Sequence, residues 1–439
     1  MSKSEISIIG GGLAGCEAAY KLAQAGIGCR LYEMRPERTT PAHRTGYLAE
    51  LVCSNSLKSD DPFSAQGLLK AEMRLLGSII LEVAEECKVK AGSSLAVDRK
   101  KLGAIVTSKI ESHPLIEVVR TEVTCIQETP AIIASGPLTS DKLAENIKTF
   151  TGQDNLYFFD AIAPVISAES INFSKVYRAS RYGKGEADYL NCPMNQDEYH
   201  SFINRLLEAD SIPINRIDEG LYFSGCMPIE TMARKGQDTL RFGPMRPVGL
   251  PDPESGNVPY AVVQLRAENQ EQSMYSLVGF QTRMRWGMQE QVLRLIPGLE
   301  SADFLSLGAM HRNTYINSPL LLNSTLDFKN KPGLFMAGQL TGVEGYMESS
   351  ATGIIAGINA VRYLNGLELV KPPQETMIGS LCSYVSDSNK KGFQPMNANF
   401  GLLPGLGSSE RNKRKRISAL IERALSAMRE FSESSLTVL

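Results

Sequence analysis

Three glycines near the N-terminus, Gly10, Gly12 and Gly15, have the G-x-G-x-x-G spacing of a phosphate-binding turn. The first glycine allows a tight bend, the second lets the backbone approach a pyrophosphate, and the third lets a helix pack on a strand. Glu33 follows at the end of the next predicted strand, where a carboxylate can accept hydrogen bonds from ribose hydroxyls. We therefore predict a dinucleotide site that includes Gly10, Gly11, Gly12, Leu13, Ala14, Gly15 and Glu33.

Two of the eight cysteines lie in contexts that suit a reactive thiol. Cys226 precedes a predicted helix that is followed by Arg234, Lys235 and Arg241, and positive charge or a helix N-terminus favours the thiolate. Cys53, in the segment Val-Cys-Ser-Asn-Ser, is the second candidate. The alternative for both is a small buried hydrophobic residue, the commonest environment of a free cysteine.

The other cysteines give no sign of metal or dithiol chemistry, because no Cys-x-x-Cys pair occurs. We predict no metal site. For Cys192 the sequence does not distinguish a packing role from a functional one. Five cysteines fall on predicted core strands or helices and are expected to pack: Cys16, Cys29, Cys87, Cys125 and Cys382.

A late segment favours FAD over NAD as the dinucleotide. Residues 333–338 (GLFMAG) predict a strand that feeds a glycine-rich loop and a helix, which resembles how many flavoproteins close over the flavin. Many such proteins carry Asp after Ala-Gly, whereas Gln339 stands here, which points to a subfamily. We assign Gly338, Gln339, Gly345 and Tyr346 to this part of the site. No second glycine fingerprint occurs, so NADH or NADPH would visit only transiently as reductant.

These residues need a Rossmann-like framework to position them. Residues 5–9 and 27–33 predict two strands around an Ala-rich helix, and residues 130–136 predict a further apolar strand. Residues 64–90 predict a helix, and residues 94–99 and the alternating residues 116–127 look like strand-bearing segments.

The middle of the chain changes character and is rich in Met, Arg, Gly and Pro, with alternating segments typical of antiparallel strands. The predicted fold is therefore α/β, a Rossmann-like FAD-binding domain with an inserted α+β domain. We place the first part of the FAD-binding domain at 1–190, the insertion at 191–305, and the second part with a basic C-terminal helix at 306–439.

The bulk composition is that of a soluble globular protein, with 43% hydrophobic and 21% charged residues among 439. The net charge of −2 excludes a protein that is basic all over, so any nucleic acid must bind a local basic face. No apolar run approaches the ~20 residues of a membrane helix, and no signal-peptide pattern opens the chain. We expect a cytoplasmic protein with no membrane partner.

Several longer segments resemble one family. They are IIGGGLAGCEAAYKLAQAG with YEMRP, ELVCSNSLKSD, FSGCMPIETMARKGQDTLRFGPMRPVGL and MHRNTYINSP. The chain is similar across its length to the folate- and FAD-dependent tRNA uracil-5-methyltransferases, the TrmFO family, which are related to the larger GidA flavoproteins. The resemblance implies formation of 5-methyluridine in the T-loop of tRNA, with methylenetetrahydrofolate as carbon donor and reduced FAD as electron donor. Some members act on ribosomal RNA, and this alternative stays open.

The implied chemistry gives roles to both cysteines. A thiolate that adds to carbon 6 of uracil makes carbon 5 nucleophilic, and a base must later remove the proton at carbon 5. Our hypothesis is that Cys226 is the nucleophile and Cys53 the base or a regulator of Cys226. The resemblance also implies that His311 and Tyr346 hold the folate's pterin against the flavin, whereas composition alone would leave His311 an ordinary loop residue.

An RNA substrate needs Lys and Arg side chains on one face for its phosphates. The basic run at 411–416 is a further candidate, although charge runs are usually solvated surface. The RNA-binding candidates near the insertion are Arg178, Arg181, Lys184, Lys235, Arg241, Arg246, Arg283 and Arg285.

Three other classes compete with this interpretation. A flavin oxidoreductase for a small metabolite would explain the glycines but not the segment around Cys226. A GidA-like subunit would act only with a partner protein. An S-adenosylmethionine methyltransferase also opens with glycines and an acid, but it would not bind flavin. The sequence does not predict the oligomeric state.

Overall fold

The computed structural model describes residues 6–40, 42–154, 156–184, 186–212, 227–389, 392–406 and 412–436. Short strands and longer helices alternate through most of this part of the chain. The strands are β1 (Ile6–Ile9), β2 (Cys29–Tyr32), β3 (Ser56–Ser59), β4 (Lys88–Val89), β5 (Ser94–Val97), β6 (Ile116–Val119), β7 (Ala131–Ile133), β8 (Leu156–Ala161), β9 (Val165–Ser167), β10 (Tyr177–Arg178), β11 (Leu190–Met194), β12 (Ala261–Ala267), β13 (Met274–Leu277), β14 (Phe304–Ser306), β15 (Met310–Tyr315), β16 (Asp327–Phe328) and β17 (Lys331–Met336). The helices are α1 (Leu13–Gln24), α2 (Ala65–Leu75), α3 (Ile79–Glu86), α4 (Arg99–Glu111), α5 (Asp141–Thr151), α6 (Gln196–Glu208), α7 (Ile229–Ala233), α8 (Trp286–Leu293), α9 (Ser318–Leu321), α10 (Tyr346–Leu364), α11 (Met377–Ser386) and α12 (Lys413–Leu436).

The central sheet has the strand order β16-β17-β7-β1-β2-β6. Its strands run parallel except β16, which pairs antiparallel with β17 at one edge. The strands are short and apolar, and those nearest β1 are almost fully buried, as expected for a parallel sheet covered on both faces. The carboxyl ends of β1, β7 and β17 therefore meet at one edge, where open α/β sheets bind their ligands.

Helices α1 and α10 pack closely on each other. A side chain at Gly353 would place its Cβ 2.3 Å from the Ala14 carbonyl oxygen, and one at Gly357 would lie 3.0 Å from the Ala18 Cα. The two backbones approach this closely because α10 carries glycine at both positions. The N-termini of the two helices are thereby held on the same side of the sheet.

A second sheet has the order β10-β11-β12-β13-β9-β14, and all its pairings are antiparallel. It encloses a separate hydrophobic core between its strands and α6, α7 and α8. The sheet draws on residues from Val165 to Ser306, so its earliest strands precede position 191. The division at 1–190, 191–305 and 306–439 stays a prediction. The mixed α/β fold class is confirmed.

The single helix predicted over 64–90 was wrong. It divides at Gly77, whose φ of +67° ends α2, and Ser78 then caps α3 by accepting a hydrogen bond from the Leu81 N–H. The segment 116–127 bears a strand as predicted, and this strand, β6, ends at Val119, where the pairing with β2 ends. Cys125 therefore lies on an exposed segment and not in the core as predicted.

Across the described ranges, no helix combines the length and apolarity needed to cross a bilayer. The longest, α12, begins in the basic run and is exposed there. The guanidinium of Arg414 lies 5.5 Å from the centre of the Phe63 ring.

Candidate functional site

A deep cleft opens at the carboxyl ends of β1, β7 and β17. Gly10, with φ of +108°, makes the bend after β1, and a Cβ there would lie 2.5 Å from the Ala134 carbonyl oxygen. Gly12 precedes α1 with open space where its side chain would be, and no side chain caps the helix. The free N–H groups of α1 therefore face the cleft, as a bound pyrophosphate requires.

Most of the predicted dinucleotide residues line this cleft, and the others shape it. Gly15 packs α1 on β1, since a Cβ there would lie 1.9 Å from the Gly10 carbonyl oxygen. Gly11 donates its N–H to Glu33 Oε2 at 3.0 Å. The lining residues among those predicted are Gly10, Gly12, Leu13, Ala14, Glu33, Gly338, Gln339 and Tyr346.

Glu33 is held more firmly than the sequence indicates. Oε1 accepts from the N–H and Nε of Arg35, and Oε2 accepts from Gly11 N–H and Arg35 Nη2, all at 2.9–3.0 Å. Burial alone would raise the pKa of Glu33, but the hydrogen bonds and charge of Arg35 lower it below its usual value. Arg35 is 2% exposed and also bonds Glu50 at 2.9 Å. A ribose hydroxyl must therefore share the lone pairs of Glu33 with Arg35.

Sequence reasoning missed much of the cleft wall. Residues 134–140, directly after β7, line it, as do Arg35, His43 and Glu50. The available signal was the apolar strand at 130–136, because a strand that pairs with β1 ends where the ligand binds.

A second cavity adjoins the cleft, and the two share Val52, Pro137, Leu138, Gln339 and Tyr346 in their walls. Its other walls come from segments far apart in the chain. They include Cys53, Ser54, Lys58, Asp160, Gln281, Asn313, Glu344, Gly345 and Met347. Gly345 thus borders this cavity and not the first.

Tyr346 fixes the position of Cys53. Its hydroxyl oxygen accepts hydrogen bonds from the N–H of Cys53 at 2.8 Å and of Ser54 at 3.1 Å. Burial of the hydroxyl, and then the nearby Cys53, raise the pKa of Tyr346 well above its usual value, so it stays protonated. Tyr346 was predicted to contact cofactor and folate, and the structure adds this anchoring role.

Cys53 also borders a third cavity, on the side of the second sheet. That cavity is lined by Arg99, Arg266 and Gln281 among others. Arg266 donates to Ser54 Oγ at 3.0 Å and to Asn55 Oδ1 at 2.7 Å, which ties the second sheet to the loop around Cys53. Cys53 therefore stands at the junction of two cavities.

Three buried cysteines differ from Cys53, which borders two cavities. Burial raises the pKa of the thiols of Cys16, Cys192 and Cys382 far above neutrality, which leaves them unreactive packing residues. Cys192 lies in β11 within the core of the second sheet, which favours packing over function for this residue.

The two remaining predicted site residues are Cys226 and His311. Cys226 lies outside the described residues. Shortly after it, the N–H of Ile229 donates to the Gln281 carbonyl oxygen at 2.8 Å, and Gln281 lines both the second and third cavities. His311 lies in β15 directly opposite Asp160 of β8, and Asp160 lines the second cavity.

None of the predicted RNA-binding residues lines any of the three cavities described above. Several are engaged locally: Arg241 stacks 3.5 Å from the centre of the Tyr260 ring, Arg283 donates to the Ile212 carbonyl oxygen, and Arg285 pairs with Asp210 at 2.8 Å. Arg178 bonds Gln272 and Tyr275, while Lys184, Lys235 and Arg246 are exposed.

The guanidinium of Arg181 is engaged by the protein, because it donates to the Arg246 carbonyl oxygen at 2.9 Å and to Gln264 Oε1 at 3.2 Å. Burial, and then the charge of Arg246, lower the pKa of Arg181 below its ordinary value.

The described residues hold no group of three or more His, Cys, Asp or Glu side chains arranged for a metal ion. The parallel sheet, the glycine turn and the cleft at the strand ends instead define a Rossmann-type dinucleotide-binding protein.

Comparison with known proteins identifies the family. The family described as "Glucose inhibited division protein A" matches residues 5–368. A Syntrophomonas wolfei protein named methylenetetrahydrofolate--tRNA-(uracil-5-)-methyltransferase TrmFO is 57% identical over 98% of this chain and 99% of its own length. The Bacillus subtilis protein of that name is 52% identical over 99% of this chain and 100% of its own. The chain belongs to the TrmFO family, which confirms the resemblance found in its motifs.

The fold is shared more widely. Aquifex aeolicus GidA has a TM-score of 0.70 to this chain at 18% identity, over 99% of this chain and 75% of that one. At this identity the likeness concerns the fold alone.

Proposed function

We propose that this protein methylates carbon 5 of a uridine in the T-loop of tRNA, with methylenetetrahydrofolate as carbon donor and FAD, reduced by NADH or NADPH, as electron donor. One observation carries the proposal: Cys53 borders a cavity that shares Gln339 and Tyr346 with the wall of the dinucleotide cleft. The names of the relatives specify tRNA, which favours tRNA over ribosomal RNA. A tRNA substrate also supports the expected cytoplasmic location.

FAD fits the cleft. The uncapped N-terminus of α1 beside Gly10 and Gly12 suits the pyrophosphate, and Glu33 with Arg35 borders the ribose end. Gln339 and Tyr346, at the passage to the second cavity, would border the flavin ring. When bound, FAD supplies the electrons that convert the transferred methylene to a methyl group.

The second cavity suits the folate and the uracil. Tyr346 contributes an aromatic ring there, and planar ligands are commonly held by stacking. In this proposal Cys226 adds its thiolate to carbon 6, and Cys53 takes the proton from carbon 5. The backbone of Cys53 is held by Tyr346, which keeps the sulfur at a fixed place on the cavity wall.

The third cavity offers a route for RNA. Arg99 and Arg266 border it beside Cys53, and a phosphate there would compete with Glu268, which also borders the cavity and pairs with Arg99 at 2.7 Å. A uridine flipped from its stack could reach Cys53 from this side. The exposed Lys184, Lys235 and Arg246 would then contact phosphates farther along the RNA.

The test is a reconstituted reaction with FAD-loaded protein, NADH or NADPH, carbon-labelled methylenetetrahydrofolate, and a tRNA transcript. Matched reactions use a transcript in which the T-loop uridine is replaced by cytidine, and a ribosomal RNA fragment. Nucleoside mass spectrometry should find labelled 5-methyluridine only in the unaltered tRNA.

Other outcomes select among the rivals. If only the ribosomal RNA fragment is labelled, the substrate is ribosomal RNA and not tRNA. If methylation requires an added protein, a GidA-like subunit is favoured. Methylation supported by S-adenosylmethionine in a flavin-free preparation would contradict the cofactor assignment. Turnover of a small metabolite with no labelled nucleoside would favour an oxidoreductase.

A further inference from the structure

Glu344 is a buried carboxyl group in the second cavity that the roles above do not use. It lies in the loop before α10 and is only 7% exposed. Its backbone N–H donates to the Met396 carbonyl oxygen at 2.8 Å, and its own carbonyl oxygen accepts from Lys58 Nζ at 3.3 Å. These contacts hold the residue in place at a wall of the cavity that also contains Cys53.

The hydrogen bonds of the carboxyl group are asymmetric. Oε2 accepts from the side-chain amide of Gln339, whereas no described residue donates to Oε1, and the residue lines the cavity. In the neutral carboxyl group the proton therefore belongs on Oε1, and Oε1 is free to donate to a ligand. Gln339 is the residue that replaces the Asp common in other flavoproteins, and here it supports Glu344.

The surroundings keep this group protonated at neutral pH. Burial, and then the negative charge of Asp160 on β8, raise the pKa of Glu344 to about 8. Glu348 on α10 adds to the rise, and Lys58 on β3 opposes it. Lys58 is itself bound to Glu348 at 2.9 Å, which limits its effect on Glu344.

The proposed reaction needs an acid of this kind. The methylene carbon of the folate is bonded to two amine nitrogens, and one of these bonds must break before the carbon can be transferred. The electron pair of that bond stays on the departing nitrogen, which must take a proton, while the lone pair of the other nitrogen forms the second bond to carbon. Amines leave poorly without protonation, so a positioned acid accelerates the step.

We propose that Glu344 is this acid and passes the proton on Oε1 to the departing amine nitrogen of the folate. The inference rests on the proposed function and adds a residue to it. Glu344 becomes a carboxylate in the step, and its negative charge balances the positive charge that develops on the one-carbon unit. Water returns the proton before the next turnover.

The experiment compares wild type with Glu344→Gln, Glu344→Asp and the exposed control Glu128→Gln. Carbon transfer is followed in single turnovers from pH 6 to pH 10. Folate binding is measured by equilibrium dialysis, and thiolate addition by the folate-independent adduct with a 5-fluorouridine T-loop RNA. Glu344→Gln should slow carbon transfer by about 10²-fold or more, while folate affinity and adduct formation stay within about threefold of wild type.

The pH profile separates an acid from a structural residue. Wild type should lose rate about tenfold per pH unit above pH 8, and Glu344→Gln should lose this dependence. Glu344→Asp should retain it at a shifted pH, and Glu128→Gln should match wild type. Wild-type rates in Glu344→Gln, an unchanged pH dependence, or lost folate binding would each overturn the acid role. A wild type that forms no 5-methyluridine at any pH would instead overturn the proposed function, and this role with it.

Discussion

At the scale of single residues, one hydroxyl group organises the reactive side of the cavity. Tyr346 Oη accepts from two successive backbone N–H groups, those of Cys53 and Ser54. An aromatic ring has few rotamers, so this arrangement fixes the Cys53 backbone at small entropic cost. The same tyrosine borders the dinucleotide cleft, which couples the place of the thiol to the place of the cofactor.

Cys53 should be required for methylation and dispensable for folding. We expect Cys53→Ala to lower the single-turnover rate by about 10²-fold or more, because it removes a base, while flavin content is unchanged. Cys125→Ala is the matched control, since Cys125 is exposed and lines none of the three cavities. Equal rates in the two variants would remove Cys53 from the mechanism.

A second residue-scale prediction concerns Glu33. Glu33→Ala leaves the guanidinium of Arg35 buried with only Glu50 as an ionic partner, which should cost about 3–5 kcal/mol of unfolding free energy. Glu117→Ala, which removes the exposed ion pair with Arg30, should cost at most about 1 kcal/mol. Urea unfolding of both variants checks this. Similar losses of unfolding free energy in the two variants would mean that the buried ion pair stabilises the protein no more than an exposed one.

At the scale of elements, the cleft depends on the close packing of α1 against α10. Ala14 contributes to the cleft and also touches α10 at Gly353. Any side chain at Gly353 must therefore push the two helices apart at the point where the cofactor binds.

Gly353→Ala should accordingly lower both stability and flavin retention. Overpacking of this kind costs about 1–3 kcal/mol, and thermal unfolding together with flavin absorbance per protein measures the two effects. The control is Gly287→Ala in α8, where nothing lies within 4 Å of the added Cβ. That change should stabilise the protein by about 0.5–1 kcal/mol. A Gly353→Ala variant that behaves like the control would contradict the packing argument.

Elements formed by local sequence could be predicted, and contacts between distant segments could not. The strand, glycine turn and helix at residues 6–24 follow from adjacent residues, and so does the helix that begins at Tyr346. Arg266 is more than 200 positions from Ser54 and Asn55, which it bonds, and no local pattern announces that contact. Glu344 could not be predicted either, because it lies in no sequence motif. The charged residues near it, Lys58 on β3 and Asp160 on β8, are distant in the chain. The end of β6 at Val119 could not be predicted, because alternation continues in the sequence after pairing with β2 has ended.

At the scale of the whole molecule, the second cavity shares wall residues with the dinucleotide cleft on one side and with the third cavity on the other. The dinucleotide cleft belongs to the parallel sheet, and the third cavity is lined by residues of the antiparallel sheet. Cys53 lies between them. The net charge of −2 means that an RNA is attracted only to local basic positions, such as the exposed Lys184, Lys235 and Arg246.

Binding of tRNA should therefore weaken steeply with salt, because phosphate contacts release counterions. Replacing both Lys235 and Arg246 by Ala should reduce the slope of log Kd against log salt by about 2. Lys331→Ala, an exposed control on β17, should leave it unchanged. A flat salt response in wild type would contradict a phosphate-led interface.

The most direct test is a crystal structure of the FAD complex soaked with a tetrahydrofolate. The flavin ring should border Gln339 and Tyr346, with the pterin beside it in the cavity that contains Cys53. A flavin ring that lies elsewhere, or a folate separated from Cys53 by the protein, would contradict the shared site.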